Sequence, residues 1–410
     1  MKTPASKVSF PVVIVVAGSV AVLLSMGIRA SQGLYLKPMS VDLGWGREVF
    51  AFAMAMQNLL WGAFQPFAAA MTEKWGTGRV VAGGGVLYAV GLYIMSISQD
   101  PLFFNFSAGL LLGMAQSGCA LGAVLGAVGR ALPESSRTFG LGIVTAAGAA
   151  GQFSVVPIGQ AFLSYYGWST SFLLLGLLSI IIVFAAIFLR GKPPEAKAAV
   201  SSEVGGGEAL SMSGMLSLAS KDSSFWFLTA GFFVCGFHVA FIAVHMPAYL
   251  GDKGLPMELG AYSLMLIGLF NVLGSFIAGY MGGRFPKKYL LSTLYSLRSV
   301  TIAIFIMVPI SSWSVLMFSV AMGLLWLSTV PLTSSLVATI YGTRYMGTLF
   351  GIVFFSHQVG SFLGVWLGGY FYDTTGSYDP IWWAGIALGF TAAILHWPIH
   401  ERTRAEAVNA

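Results

Sequence analysis

Twelve apolar runs of roughly twenty residues leave this chain few ways to fold. At 1.5 Å per residue, a helix of about 20 residues crosses the ~30 Å hydrocarbon core of a bilayer. The runs lie at 10–37, 47–70, 80–98, 102–129, 139–163, 169–189, 224–250, 257–281, 289–308, 313–341, 346–371 and 380–398. They lack the period-two alternation of barrel strands, so they read as helices. The longer ones imply tilt or projection from the bilayer. Only 9% of the 410 residues are charged and 57% are hydrophobic. A soluble domain carries about 25% charged residues, so the lipid bilayer is the solvent expected for most of this surface. Fifty-one glycines suit helices that pack backbone against backbone in lipid.

The net charge of +6 does not point to nucleic acid, because the basic residues sit in short loops between the apolar runs. With the N-terminus placed in the cytoplasm, sixteen of the 21 Lys and Arg fall in cytoplasmic segments. Three fall in outer loops (Lys37, Arg47 and Lys253), and Arg29 and Arg298 lie inside spans. That asymmetry predicts cytoplasmic N- and C-termini. The first run follows Lys2 and Lys7, is too long for a signal-peptide core and has no clean cleavage site, so it reads as an uncleaved span. Cys119 and Cys235 both lie in apolar runs, which suggests neither a disulfide framework nor a metal cluster.

Residues 190–222 are rich in Pro, Gly, Ser and charge, and read as a cytoplasmic linker. The linker divides the chain into six spans at 1–189 and six at 223–410. An internal repeat supports this division. At an offset of 209, Gly142, Gly151, Gly159 and Gly167 meet Gly351, Gly360, Gly368 and Gly376, and Phe153 and Phe162 meet Phe362 and Phe371. Two parallel six-helix halves place a substrate site between them, near mid-membrane.

The loop after span two reads Ala69-Ala70-Met71-Thr72-Glu73-Lys74-Trp75-Gly76-Thr77-Gly78-Arg79. The loop after span eight reads Gly279-Tyr280-Met281-Gly282-Gly283-Arg284-Phe285-Pro286-Lys287-Lys288. Together they resemble the Gly-x-x-x-acid-base-x-Gly-x-x-base signature of the major facilitator superfamily, the second copy lacking its acid. The resemblance implies an all-helical fold of two pseudo-symmetric six-helix halves. It also implies that Glu73, Lys74, Gly76, Arg79, Gly279, Arg284 and Lys287 serve conformational gating.

Within that superfamily, the stretch Arg137-Thr138-Phe139-Gly140-Leu141-Gly142 followed by Ala146-Ala147-Gly148 resembles the monocarboxylate transporter and oxalate/formate exchanger branch. So does Lys37-Pro38, with its order reversed. Where the animal members of that branch carry Asp, Arg and Gly at four-residue steps in span eight, this chain has Asn271, Ser275 and Gly279. The spacing is kept and the charge pair is gone.

None of the fifteen acids falls in the middle of a span. A carboxylate proton relay is therefore missing, and a cationic substrate would lack a counter-charge. Both intramembrane charges are arginines, which bias the site toward anions. Arg298 lies about ten residues into span nine, with substrate, backbone carbonyls or amides as its possible partners. Arg29, in the outer part of span one, reads either as a bidentate carboxylate ligand or as a headgroup anchor. His238, His245 and His357 are the side chains able to titrate near neutral pH within the spans, although a lone membrane histidine is more often a helix-to-helix hydrogen bond. Gln358, Asn271, Gln152, Gln116, Gln57, Asn58 and Trp326 make up a polar belt near mid-span, as ligand contacts or as helix glue. His396 and His400 have i, i+4 spacing but no third ligand, so no metal is expected.

The reading is a monomeric secondary transporter in a bacterial cytoplasmic membrane. It would carry a small mono- or dicarboxylate, coupled to a proton or a counter-anion or moving as a uniport. The alternative within transport is efflux of amphipathic compounds. No nucleophile elbow, zinc spacing or P-loop is present, so neither catalysis nor a cofactor is expected.

Overall fold

The structure is a computed structural model and describes residues 12–190, 211–342 and 345–401. Among the described residues there are helices and no strands. The helices here numbered α1 to α4 are Val12–Leu43, Arg47–Trp75, Thr77–Ile97 and Pro101–Ala131. The continuous helix Glu134–Ala186 splits at Gly167, where φ is 74°, into α5 (134–166) and α6 (168–186). The second set is α7 Ser223–Asp252, α8 Met257–Gly282, α9 Lys287–Met307, α10 Ser312–Tyr341, α11 Met346–Thr375 and α12 Asp379–His396. All twelve expected spans are present as helices in two sets of six. Most of the expected linker, 191–210, lies outside the described residues.

Local chemistry sets several helix starts. The Asp100 carboxylate accepts from Leu102 N at 2.8 Å with Pro101 at the first helical position, and the Asp222 carboxylate accepts from Ser224 N at 3.0 Å. In α1, a short 3₁₀ turn at Gln32–Tyr35 changes the helix pitch. In α4, a π-helical stretch at Asn105–Leu111 does the same.

The offset of 209 reappears as geometry. Gly151 of α5 sits against the Leu23 carbonyl of α1, and its counterpart Gly360 of α11 sits against the Phe233 carbonyl of α7. Neither site has room for a Cβ. Gly167 and Gly376 both take left-handed φ, 74° and 71°, where each helix ends. Gly27 and Gly236, also 209 apart, are close-approach points on α1 and α7. The two halves therefore repeat one packing scheme.

The halves meet along α2 against α11 and along α5 against α8. Gly62 of α2 faces the Gln358 stem, and Gly268 of α8 faces Gln152. Among the described residues, every hydrogen bond or ion pair joining the halves lies at mid-depth or toward the end carrying Arg47 and Asp252. The opposite end, carrying Glu73 and Lys287, has none among them.

The span expected at 313–341 is interrupted, with helix from Ser312 to Leu325 and again from Thr329 to Tyr341. Pro331 has no N–H to give the Leu327 carbonyl, which removes one rung of the helix at this point.

Candidate functional site

At the Arg47 end, the Arg47 guanidinium grips Asp252 through two bonds, Nη1 to Oδ2 at 2.5 Å and Nη2 to Oδ1 at 2.8 Å. Lys37 Nζ adds a third contact to Asp252 at 3.0 Å. Arg47 also donates to Tyr378 Oη at 2.9 Å and stacks 3.6 Å from the Tyr372 ring centroid. From α11, the Asp373 carboxylate accepts the backbone N–H groups of Arg47 and Glu48, so it caps α2 from the other half. Trp366 Nε1 donates to Glu48 Oε1 at 2.9 Å. These contacts clamp the two halves together.

Mid-depth is occupied by Arg29. Its side chain is surrounded by helices yet keeps accessible surface. Among the described residues its one hydrogen bond is from Nη2 to Asn58 Oδ1. Asn58 is held in turn by its own bond to the Met54 carbonyl at 2.8 Å. The guanidinium lies 5.1 Å from the Trp61 ring centroid. Asn58 is eleven residues from the start of α2, roughly 16 Å deep. Trp61 meets Phe354 of α11 edge to face at 5.7 Å, and Phe354 stacks on His357 at 5.8 Å. His357 also lies 5.0 Å from Phe232, and its Nδ1 is 3.3 Å from Gln358 Oε1. An aromatic file thus runs from α2 across the seam into α11 and α7.

Arg298 has a different setting. It has no exposed surface, and it donates from Nε to the Leu325 carbonyl at 2.9 Å and from Nη2 to the carbonyls of Leu325 and Trp326. Those are the carbonyls released by the break in α10. Asn271 of α8 supplies the complementary group, its Oδ1 accepting Leu327 N at 3.1 Å. In this conformation the expectation that Arg298, Asn271 and Trp326 face a ligand is not met. Both polar side chains bond the broken helix, whose freed backbone groups have no water to bond in the membrane interior; Arg298 Nη1 is left buried without a partner among the described residues. Trp326 is buried at the break itself.

The histidines also differ from one another. His238 Nε2 is 2.7 Å from the Gly385 carbonyl, and His245 bridges the Val365 carbonyl at 2.8 Å and Tyr378 Oη at 3.2 Å. His238 is buried inside the second half as a helix-to-helix bond, while His245, through Tyr378, adjoins the Arg47 clamp between the halves. His357 lies at mid-depth in the second half, stacked on Phe354, which meets Trp61 across the seam. Gln152 Nε2 donates across the seam to the Leu264 carbonyl at 2.9 Å, and Gln358 is buried against Gly62.

At the Glu73 end, Gly76 with φ 87° makes the turn from α2 to α3. Glu73, Lys74 and Arg79 are exposed there, while Arg130 Nη2 donates to Thr77 Oγ1 at 2.6 Å. In the second copy, Arg284 stacks 4.1 Å from the Tyr280 ring, and Gly279 has open space around it. Lys287 pairs with Glu401 at 3.2 Å, and that carboxylate also caps α9.

Sequence reasoning missed the roles of Arg47, Asp252, Asp373, Trp61 and Phe354. The scarcity of charge at the Arg47 end was the available signal for the first three. Nothing in the sequence singles out two of its many aromatics.

A family model described as Major Facilitator Superfamily matches residues 18–365 and 264–410. The chain belongs to the Major Facilitator Superfamily. It is thus a multi-pass membrane transporter of small molecules and not an enzyme. Its similarity within the superfamily extends to an uncharacterized MFS-type transporter, YcxA, of Bacillus subtilis, 25% identical over 92% of each chain. Monocarboxylate transporter 13 of Rattus norvegicus is 27% identical over 76% of this chain and 71% of its own. These likenesses agree with the monocarboxylate-transporter-like branch. The fold matches a bacterial homolog of the human lysosomal transporter Spinster, in an inward-facing and occupied conformation, with a TM-score of 0.74. That match has 12% identity and covers 97% of both chains.

Proposed function

We propose that this superfamily member carries a small organic anion, a carboxylate, by alternating access, with residues 1–189 and 223–410 rocking as two bodies about the seam. The observation that carries the reading is Arg29: a mid-depth cation with accessible surface, neutralised by no acid among its described neighbours. A substrate carboxylate supplies the missing charge through a bidentate pair. The relatives named as monocarboxylate transporters support the same class.

The basic asymmetry supports cytoplasmic termini in a bacterial cytoplasmic membrane, which makes the Arg47 end external. On that orientation the clamp closes the outer side, and the site opens to the cytoplasm past the Glu73 and Arg284 loops. Of the three candidate histidines we take His357 for a proton-coupled scheme, because it stacks on Phe354, which meets Trp61 beside Arg29. The protein works as a monomer, because the seam between halves already completes the site.

The test is uptake of labelled carboxylates into proteoliposomes with and without a pH gradient, alongside a reporter fused near Asp252. Carboxylate accumulation and an external reporter are expected. Transport of cationic amphiphiles with no carboxylate uptake would replace this reading with efflux.

A further inference from the structure

The seam around Arg29 carries information about the ligand's shape and charge. Among the described residues, Arg29 is the one mid-depth cation with accessible surface, since Arg298 is sealed onto the carbonyls of the α10 break. One guanidinium neutralises one carboxylate. A second carboxylate on the ligand would have to lie against the neighbouring wall, and that wall is aromatic. Trp61 lies beneath the guanidinium at 5.1 Å, Phe354 stands edge to face with Trp61 at 5.7 Å, and His357 and Phe232 extend the surface into the second half. Trp61 and Phe354 both keep accessible surface. An ionised group pressed on the Trp61 and Phe354 rings loses hydration and gains no partner there.

We propose that the substrate is a monocarboxylate with a planar aromatic body, its carboxylate on Arg29 and its ring against Trp61 and Phe354. This rests on the carboxylate reading above and narrows it. The fit is chemical at each end. Asn58, held by the Met54 carbonyl, uses one N–H of the guanidinium and so fixes its plane, leaving the remaining N–H groups for a carboxylate. The Trp61–Phe354 pair meets at a tilt of 79°, which offers an arriving ring both a face and an edge, the two arrangements aromatic rings prefer. Trp61 belongs to the first half and Phe354 to the second. A ring lodged against both therefore touches the two bodies that must move relative to one another.

The experiment measures binding to the purified full-length protein by competition with labelled benzoate. The panel is benzoate, phenylacetate, acetate, succinate, phthalate and benzyl alcohol. Benzoate and phenylacetate should bind at least about tenfold more tightly than acetate. Succinate, phthalate and benzyl alcohol should compete at least tenfold more weakly than benzoate. Trp61→Leu and Phe354→Leu should each reduce the benzoate-to-acetate affinity ratio by about threefold to tenfold, the range expected for a lost aromatic pair. Trp61→Tyr and Phe354→Tyr should retain most of that ratio and so separate a ring effect from misfolding.

If acetate or succinate competes as well as benzoate with the unmodified protein, the aromatic assignment is overturned and the carboxylate reading stands. The same holds if folded Trp61→Leu and Phe354→Leu keep the full ratio. If labelled benzoate does not bind and neither labelled acetate nor labelled succinate is taken up, both fall.

Discussion

Neutralising Asp252 should loosen the clamp at the Arg47 end. In Asp252→Asn the shape is kept and the charge is lost, so Arg47 keeps one bond, to the amide oxygen, and loses the other, because the amide NH2 that replaces the second oxygen cannot accept. A hydrogen bond involving an ion contributes about 1.5–3 kcal/mol, so losing one such bond outright and weakening the other costs about 2–3 kcal/mol. The Lys37 contact adds little, because its side chain is 31% exposed and exposed pairs are worth about 0–1 kcal/mol. The clamp exists only when the halves are closed at this end, so the loss falls on that state alone. It corresponds to a roughly 30- to 150-fold rise in the population open at the Arg47 end, as long as that state stays the minor one.

Ala51 reports on this opening. It lies one turn into α2, is fully buried, and packs against Gly369 of α11 across the seam. An Ala51→Cys protein should react with a membrane-impermeant maleimide in proportion to the open population. The native thiols Cys119 and Cys235 are buried and give a low background. Adding Asp252→Asn should raise the labelling rate by between one and two orders of magnitude, and Lys37→Gln by less than about fivefold. If the rate in folded Asp252→Asn is unchanged, the Arg47–Asp252 pair does not hold the halves together and the assignment of this end as the closed one is wrong.

Arg29→Gln should raise the apparent KM for the transported anion at least about tenfold, with Arg29→Lys intermediate because it keeps the charge without the planar fork; initial-rate uptake in proteoliposomes checks this. Arg298→Leu should cost about 3–5 kcal/mol of stability by stranding two buried carbonyls, read as a fall in thermal midpoint in detergent, and Asn271→Ala should cost about 1–3 kcal/mol by stranding Leu327 N–H. Gly360→Ala should destabilise by about 1–3 kcal/mol or more, because its Cβ meets the Phe233 carbonyl, while Gly351→Ala, one repeat position earlier with open space around it, should be tolerated; paired thermal melts decide this.

The elements that were legible in the sequence are those written in local composition. Each span is a hydropathy run, so all twelve helices could be read, and the glycine offset of 209 could be read because a close helix approach demands the absence of a side chain at a fixed position. The break in α10 shows where such reading stops. Leu325-Trp326-Leu327 is as apolar as the helix on either side of it, so hydropathy predicts one continuous span; only Pro331 marks the missing rung. The consequence then spreads to residues that sequence cannot connect to it. A broken helix in lipid leaves carbonyls and an N–H that must be satisfied from elsewhere, and the chain satisfies them with Arg298, 27 residues away, and Asn271, 56 residues away. Seen alone, each is an unpaired polar group in the membrane and therefore a ligand candidate; seen together, they are the cost of the break met from two neighbouring helices. The same reasoning sharpens Arg29. It too is an unpaired cation in the membrane, but among the described residues no broken backbone bonds it; its neighbours are Asn58, the face of Trp61 and Tyr88, and it keeps accessible surface. What distinguishes the two arginines is therefore the supply of backbone acceptors around each, a property of tertiary packing. On the carboxylate proposal, it leaves Arg29 as the charge that a ligand neutralises.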